Sequence, residues 1–171
     1  MGEEVAATDY RVNSRPFNSP LETGLRALFV LNAVAPEKSD LQRLIFYDYL
    51  VVHSADPEGP PSLHAAVPHR SGEWLVRREL LALGLDLMFS KELLVKSYEP
   101  AGVFYSASEL TAPFLQHLQS AYSMRLSQLA QWVGKQFQTY TDAQLSSYMN
   151  EHLGRWGAEF NRESILRRVA L

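Results

Sequence analysis

The chain has no cysteine among its 171 residues. Disulfides, thiolate metal ligands and cysteine nucleophiles are therefore excluded, which fits a reducing compartment. Long apolar runs are also missing. No stretch approaches the roughly eighteen apolar residues of a membrane span, so none is expected. The opening segment MGEEVAATDYRVNSRPFNSP starts acidic and has no apolar core, so it does not read as a signal peptide. These readings place the protein in the cytoplasm. A basic excess is absent too. Sixteen Lys and Arg face nineteen Asp and Glu, for a formal charge of −3. Stand-alone nucleic-acid binders draw affinity from neutralised phosphates, so the balance weighs against that class but leaves room for a local patch. There is no GxxxxGK[ST] and no GxGxxG, so ATP, if it is involved, belongs to a partner. No serine sits in a GxSxG elbow, and no HExxH is present.

What is present is ample material for a core. The sequence is 46 % hydrophobic and 20 % charged, within the globular range. Residues 1–17 read as a flexible tail. Asn18 or Ser19 opens a first helix, with Pro20 in its first turn and Leu21, Leu25, Leu28 and Phe29 at helical spacing. It should end near Pro36. Ser39 or Asp40 caps a second helix running into LVVHS, a segment that could equally be a short strand. Pro57, Gly59, Pro60, Pro61 and Pro68 forbid a regular element from Ser54 to Pro68.

A third helix starts near Ser71, with Trp74, Leu81, Leu85 and Met88 on one face. Leu75, Leu80, Leu83 and Leu87 widen that face so far that the helix reads as central and mostly buried. Gly84 costs roughly 1 kcal/mol of helix propensity against alanine, so close backbone packing is expected there. Leu94–Tyr98 and Val103–Ser106 form a hairpin around EPAG. Helices follow, one capped by Ser108 with Leu110, Phe114, Leu115 and Leu118 inward, and one striped by Tyr122, Leu126, Leu129 and Val133. A last one opens at Thr141 with Gln144 at capping-box spacing. The fold class is thus mainly α with a small β-hairpin: a winged-helix-like domain over 18–108 and a C-terminal helical extension over 109–171.

Three histidines, His53, His64 and His69, lie in or beside the proline-rich connection, with Asp56 and Glu58 close by. Imidazole and carboxylate suit zinc or another divalent ion. The spacing matches no metal signature, and polar-loop histidines usually hydrogen-bond, so the block reads rather as a shaped connector. Arg70, Arg77 and Arg78 cluster at the start of the third helix, where a recognition helix would meet phosphates or base edges. Lys91 and Lys96 lie near the wing. Glu73, Glu79, Asp86 and Glu92 dilute that field. Trp132 and the apolar residues of the C-terminal tail, Ile165, Leu166, Val169 and Leu171, are candidates for partner docking, since tryptophan is enriched at interfaces.

The block GPPSLHAAVPHRSGEWLVRRELLALGLDLM, preceded by YDYLVVHSAD, resembles the middle component of bacterial ABC-three component systems. GVFYSASELTAPFLQHLQSAY and the WV/F pattern over Trp132–Phe137 extend the resemblance across most of Leu25 to Phe160. The family's DYLVVHS and HRSGELLVRR-like segments fall on Asp48–Ser54 and His69–Arg78, with Trp74 where leucine is more usual. The resemblance implies a non-catalytic adaptor in a defence complex against phages or plasmids. Its partners would be an SMC-like ABC ATPase and an effector such as a nuclease, with contact to double-stranded DNA inside the complex as a further expectation. ATP and magnesium would belong to the ATPase, and no catalytic, cofactor or metal residue is carried over to this chain. Two alternatives stay open: a winged-helix transcriptional regulator, and a metal-dependent enzyme using His53, His64 and His69.

Overall fold

A computed structural model describes residues 19–64 and 73–153, with side chains from residue 77 onward in the second stretch. Ser19 caps α1 (Pro20–Val34) by accepting from the Glu22 amide, with proline in the first turn. Asp40 accepts from the Arg43 amide and caps α2 (Leu41–Val52). LVV therefore ends a helix and is not a strand. Asp40 also closes β1 (Ser39–Asp40), a two-residue strand that sequence periodicity could not reveal.

α3 (Glu73–Ser90) leads through a turn into β2 (Leu94–Glu99) and β3 (Gly102–Ala107). β2 and β3 pair antiparallel, with Glu99 opposite Gly102, and β1 adds to the other edge of β3. The sheet order is β1–β3–β2. Gly102 has φ +136°, a conformation that side chains rarely adopt, so the EPAG turn needs glycine at that position. The fold is thus mainly helical with a small three-stranded sheet, one strand more than expected.

The short helix α4 (Thr111–Gln116) has Leu110 at its N-cap without a side-chain bond. Ser108 is not its cap. Its hydroxyl instead donates to the Glu92 carbonyl, and Thr111 Oγ1 donates to the Leu93 carbonyl. Leu115 is buried, whereas Leu110 is exposed and does not face inward as expected. α5 (Ala121–Phe137) buries Leu126, Leu129 and Val133, and leaves Tyr122 partly outside. α6 spans 142–153 within the described residues. Its capping box forms: Thr141 N donates to Gln144 Oε1 at 2.9 Å, and Gln144 N to Thr141 Oγ1 at 3.2 Å.

One core joins these elements. Leu28 and Leu31 of α1, Leu44 and Leu50 of α2, Leu81 and Leu85 of α3, Leu126 and Leu129 of α5, and Leu145 and Met149 of α6 belong to the same buried cluster. α1 and α3 cross at glycines. A Cβ on Gly84 would stand 2.6 Å from Gly24 N and 2.7 Å from the Pro20 carbonyl oxygen, and one on Gly24 2.7 Å from the Gly84 carbonyl oxygen. That approach accounts for glycine in mid-helix.

Candidate functional site: a buried ionic centre

Among the described residues, a cluster of charged side chains forms where α1, α2 and α3 meet. Asp48 of α2 is buried among apolar neighbours. An unpaired carboxylate there would be costly, and two arginines compensate it. Arg26 of α1 donates through Nε to Asp48 Oδ1 at 2.6 Å and through Nη2 to Oδ2 at 3.2 Å. Arg77 of α3 donates through Nη1 to Oδ2 at 2.9 Å. Arg26 Nη1 lies 3.2 Å from Glu22 Oε1, one turn earlier on α1, an ion pair without hydrogen-bond alignment. Two cations and two anions thus converge with zero net charge.

The charges hold one another. Burial alone would raise the Asp48 carboxyl, but Arg26, by charge and hydrogen bond, and then Arg77 keep it below the ordinary carboxylate range. Burial disfavours the Arg26 cation, yet Asp48 and Glu22 hold its pKa above the ordinary value.

His53 and His64 sit around this centre. His53, the C-cap of α2, is buried, and its Nε2 lies 3.4 Å from Arg77 Nη2. A guanidinium only donates, so Nε2 is the acceptor and the proton sits on Nδ1. His64 Nε2 lies 3.2 Å from the Tyr122 hydroxyl and 3.5 Å from Glu22 Oε1. Burial, then the charge of Arg26, depresses the His64 pKa. Tyr122 donates to Glu22 Oε1 at 2.9 Å, and burial followed by the Glu22 charge pushes its pKa up to about 12.

This geometry answers the question posed by the proline-rich connection. Ser54 Oγ donates to the Pro60 and Pro61 carbonyls at 2.9 and 3.3 Å, and Ala55 N to Ser62 Oγ at 3.2 Å. Tyr49 donates to Asp56 Oδ2 at 2.8 Å, and Arg125 of α5 donates to the Pro61 carbonyl at 2.6 Å. Gly59 lies under the Trp132 ring, which a Cβ would strike. Through residue 64 the connection is a folded bridge from α2 to α5.

Several site expectations change accordingly. Among the described residues no group of three or more His, Asp or Glu is placed to hold a metal. His53 faces a guanidinium, and His69 lies outside the described residues. Arg77 turns inward to Asp48 and belongs to the core charge network. Lys96 Nζ pairs with Asp86 Oδ1 at 2.5 Å and lies over the Phe89 ring, 4.7 Å from its centre. Arg78 and Lys91 are exposed. Trp132 is half-buried and meets Phe137 edge-on, with ring centres 6.0 Å apart. Arg70, Ile165, Leu166, Val169 and Leu171 fall outside the described residues. Asp48 and Arg26 are the central residues that sequence reasoning missed. The signal available was a charged residue inside each of two strongly apolar helices.

Residues 16–159 match the family described as ABC-three component (ABC-3C) system Middle Component 2. The chain belongs to that family. The match covers α1 to α6 and every residue of the ionic centre. No curated protein and no solved structure matches the chain. Among the described residues of this Middle Component 2 protein, no helix is long and apolar enough to cross a membrane.

Proposed function

We propose that this Middle Component 2 protein is a non-catalytic adaptor that joins an SMC-like ABC ATPase to an effector, such as a nuclease, in a phage- or plasmid-defence complex. Family membership supplies the setting. The observation that carries the reading is the Arg26–Asp48–Arg77 centre: the conspicuous charged groups are buried and spent on one another. A reactive site needs groups aimed at a substrate in a cleft. Here they tie α1, α2 and α3 together, a framework suited to holding two partners. The test is to co-express the chain with its ABC ATPase and third component and to purify through the chain with nuclease present. Nuclease-resistant recovery of both partners is expected, and recovery of neither overturns the reading.

A second reading rests on the element order. We read helix, strand, two helices and a hairpin, with strand order β1–β3–β2, as winged-helix-like. In that reading α3 is the recognition helix, Arg78 is its exposed cation and Lys91 follows in the turn after it. The inward turn of Arg77 and the Asp86 partner of Lys96 thin this charge, so backbone contact within the complex fits better than independent reading of a sequence. Arg78→Glu should lower retention of duplex DNA by the complex and leave the protein–protein contacts unchanged. Undiminished retention removes the DNA role.

A further inference from the structure

The α3 helix leaves apolar side chains uncovered beside its exposed Arg78, Glu79 and Asp86. Leu81, Leu85 and Met88 are in the core, whereas Leu83 is 55 % exposed and Leu87 only half-buried one turn later on the same side. The uncovered side adjoins the first turn of α1, since the glycine crossing brings Gly84 onto Pro20 and Gly24. Leu21 there is also 55 % exposed. Between the two helices and α4 lies a cleft of about 380 Å³ lined by Leu21, Leu25, Leu87, Met88, Leu93 and Phe114, with Leu83 just outside it, one turn before Leu87. Lys91 is the sole charged side chain among the described residues lining it. Its ammonium is exposed and makes no ion pair with a described residue, unlike Lys96 nearby, which Asp86 neutralises.

We propose that this α1–α3–α4 cleft is a docking groove for an amphipathic helix of a partner protein. That helix carries aliphatic or aromatic anchors at i, i+3 or i+4 spacing, and a carboxylate that reaches Lys91. A leucine-lined channel between two helices is the receptor for the apolar face of a third. An unpaired cation at its rim favours a carboxylate on that helix at the matching position. The chemistry favours a protein over nucleic acid, since the walls offer apolar side chains and one positive charge in place of a row of phosphate partners. The proposal rests on the adaptor reading and names one of the surfaces that reading requires.

The test uses the full chain co-expressed with its ABC ATPase and third component. Leu83→Glu and Lys91→Glu change exposed side chains, and thermal melts should stay at the wild-type value. Each should weaken capture of one partner about tenfold or more and spare the other. A photo-crosslinking amino acid at position 83 should label that same partner on a segment with helical apolar spacing and an acidic residue. Reversing the charge of that acid should restore binding to Lys91→Glu. If wild type holds both partners and the two variants do so within twofold, the groove is wrong and the adaptor reading stands. Crosslinking to a second copy of this chain, or to nucleic acid, also overturns the groove as assigned. If wild type captures neither protein, the adaptor reading falls, and the groove with it. Should Leu83→Glu unfold, Lys91→Glu and the crosslink decide alone.

Discussion

Asp48 organises the interior charge, and its removal is the sharpest single-residue experiment. Asp48→Asn would leave Arg26 and Arg77 facing each other without their shared anion. Breaking a buried pair from one side typically costs about 3–5 kcal/mol. A urea unfolding midpoint unchanged from wild type would contradict this account of the centre. Acid should act on the same residues. The His64 pKa is depressed from 6.5, so below that pH the unfolded chain takes up a proton that the folded one resists. Stability therefore falls as the pH drops below about 6.5, and His64→Gln should flatten that part of the profile. The Asp48 contribution is present above its ordinary value of 3.8 and is lost further down, as the pH passes its lower folded value. In alkali, Tyr122 behaves oppositely. Its pKa is raised from 10 to about 12, so its contribution holds below pH 10 and disappears between 10 and 12. Tyr122→Phe should remove that alkaline loss, as followed by the thermal midpoint against pH.

Among the elements, the α1–α3 crossing makes the clearest demand. Alanine at position 84 gains roughly 1 kcal/mol of helix propensity in isolation. Its Cβ would nevertheless stand within 2.6 Å of Gly24 backbone, so α1 has to move. Gly84→Ala should therefore be destabilising by about 1–3 kcal/mol, and a stabilised variant in a denaturant titration would refute the close approach. Thr141→Ala deletes the capping box of α6 and should cost about 1 kcal/mol. The elements also mark what was legible in the sequence. Caps at Ser19, Asp40 and Thr141, the hairpin around EPAG and the glycine crossing follow from local chemistry that a short window contains. β1 was invisible because two residues carry no periodicity, and it exists only through pairing with β3, more than sixty residues on. Ser108 looked like a cap because its chemistry is right, but tertiary bonds to Glu92 and Leu93 claim that corner. The burial of Arg77 could not be foreseen, since its partner Asp48 lies twenty-nine positions away. The same remoteness made Arg77 look like a surface residue.

At the scale of the whole molecule, one core reaches from α1 to α6, and the ionic centre ties three of its helices and the proline-rich bridge together. The described part of this Middle Component 2 protein pairs its buried charges with one another and leaves Leu83 outward on α3. That distribution suits a part that positions other proteins. The most direct measurement is the mass of the complex purified through this chain, with nuclease present, from cells that also supply its ABC ATPase and third component. A stable particle containing all three proteins, lost to two-component fragments when this chain is omitted, is the predicted result. An ATPase and effector that assemble equally well without the chain would contradict the adaptor account.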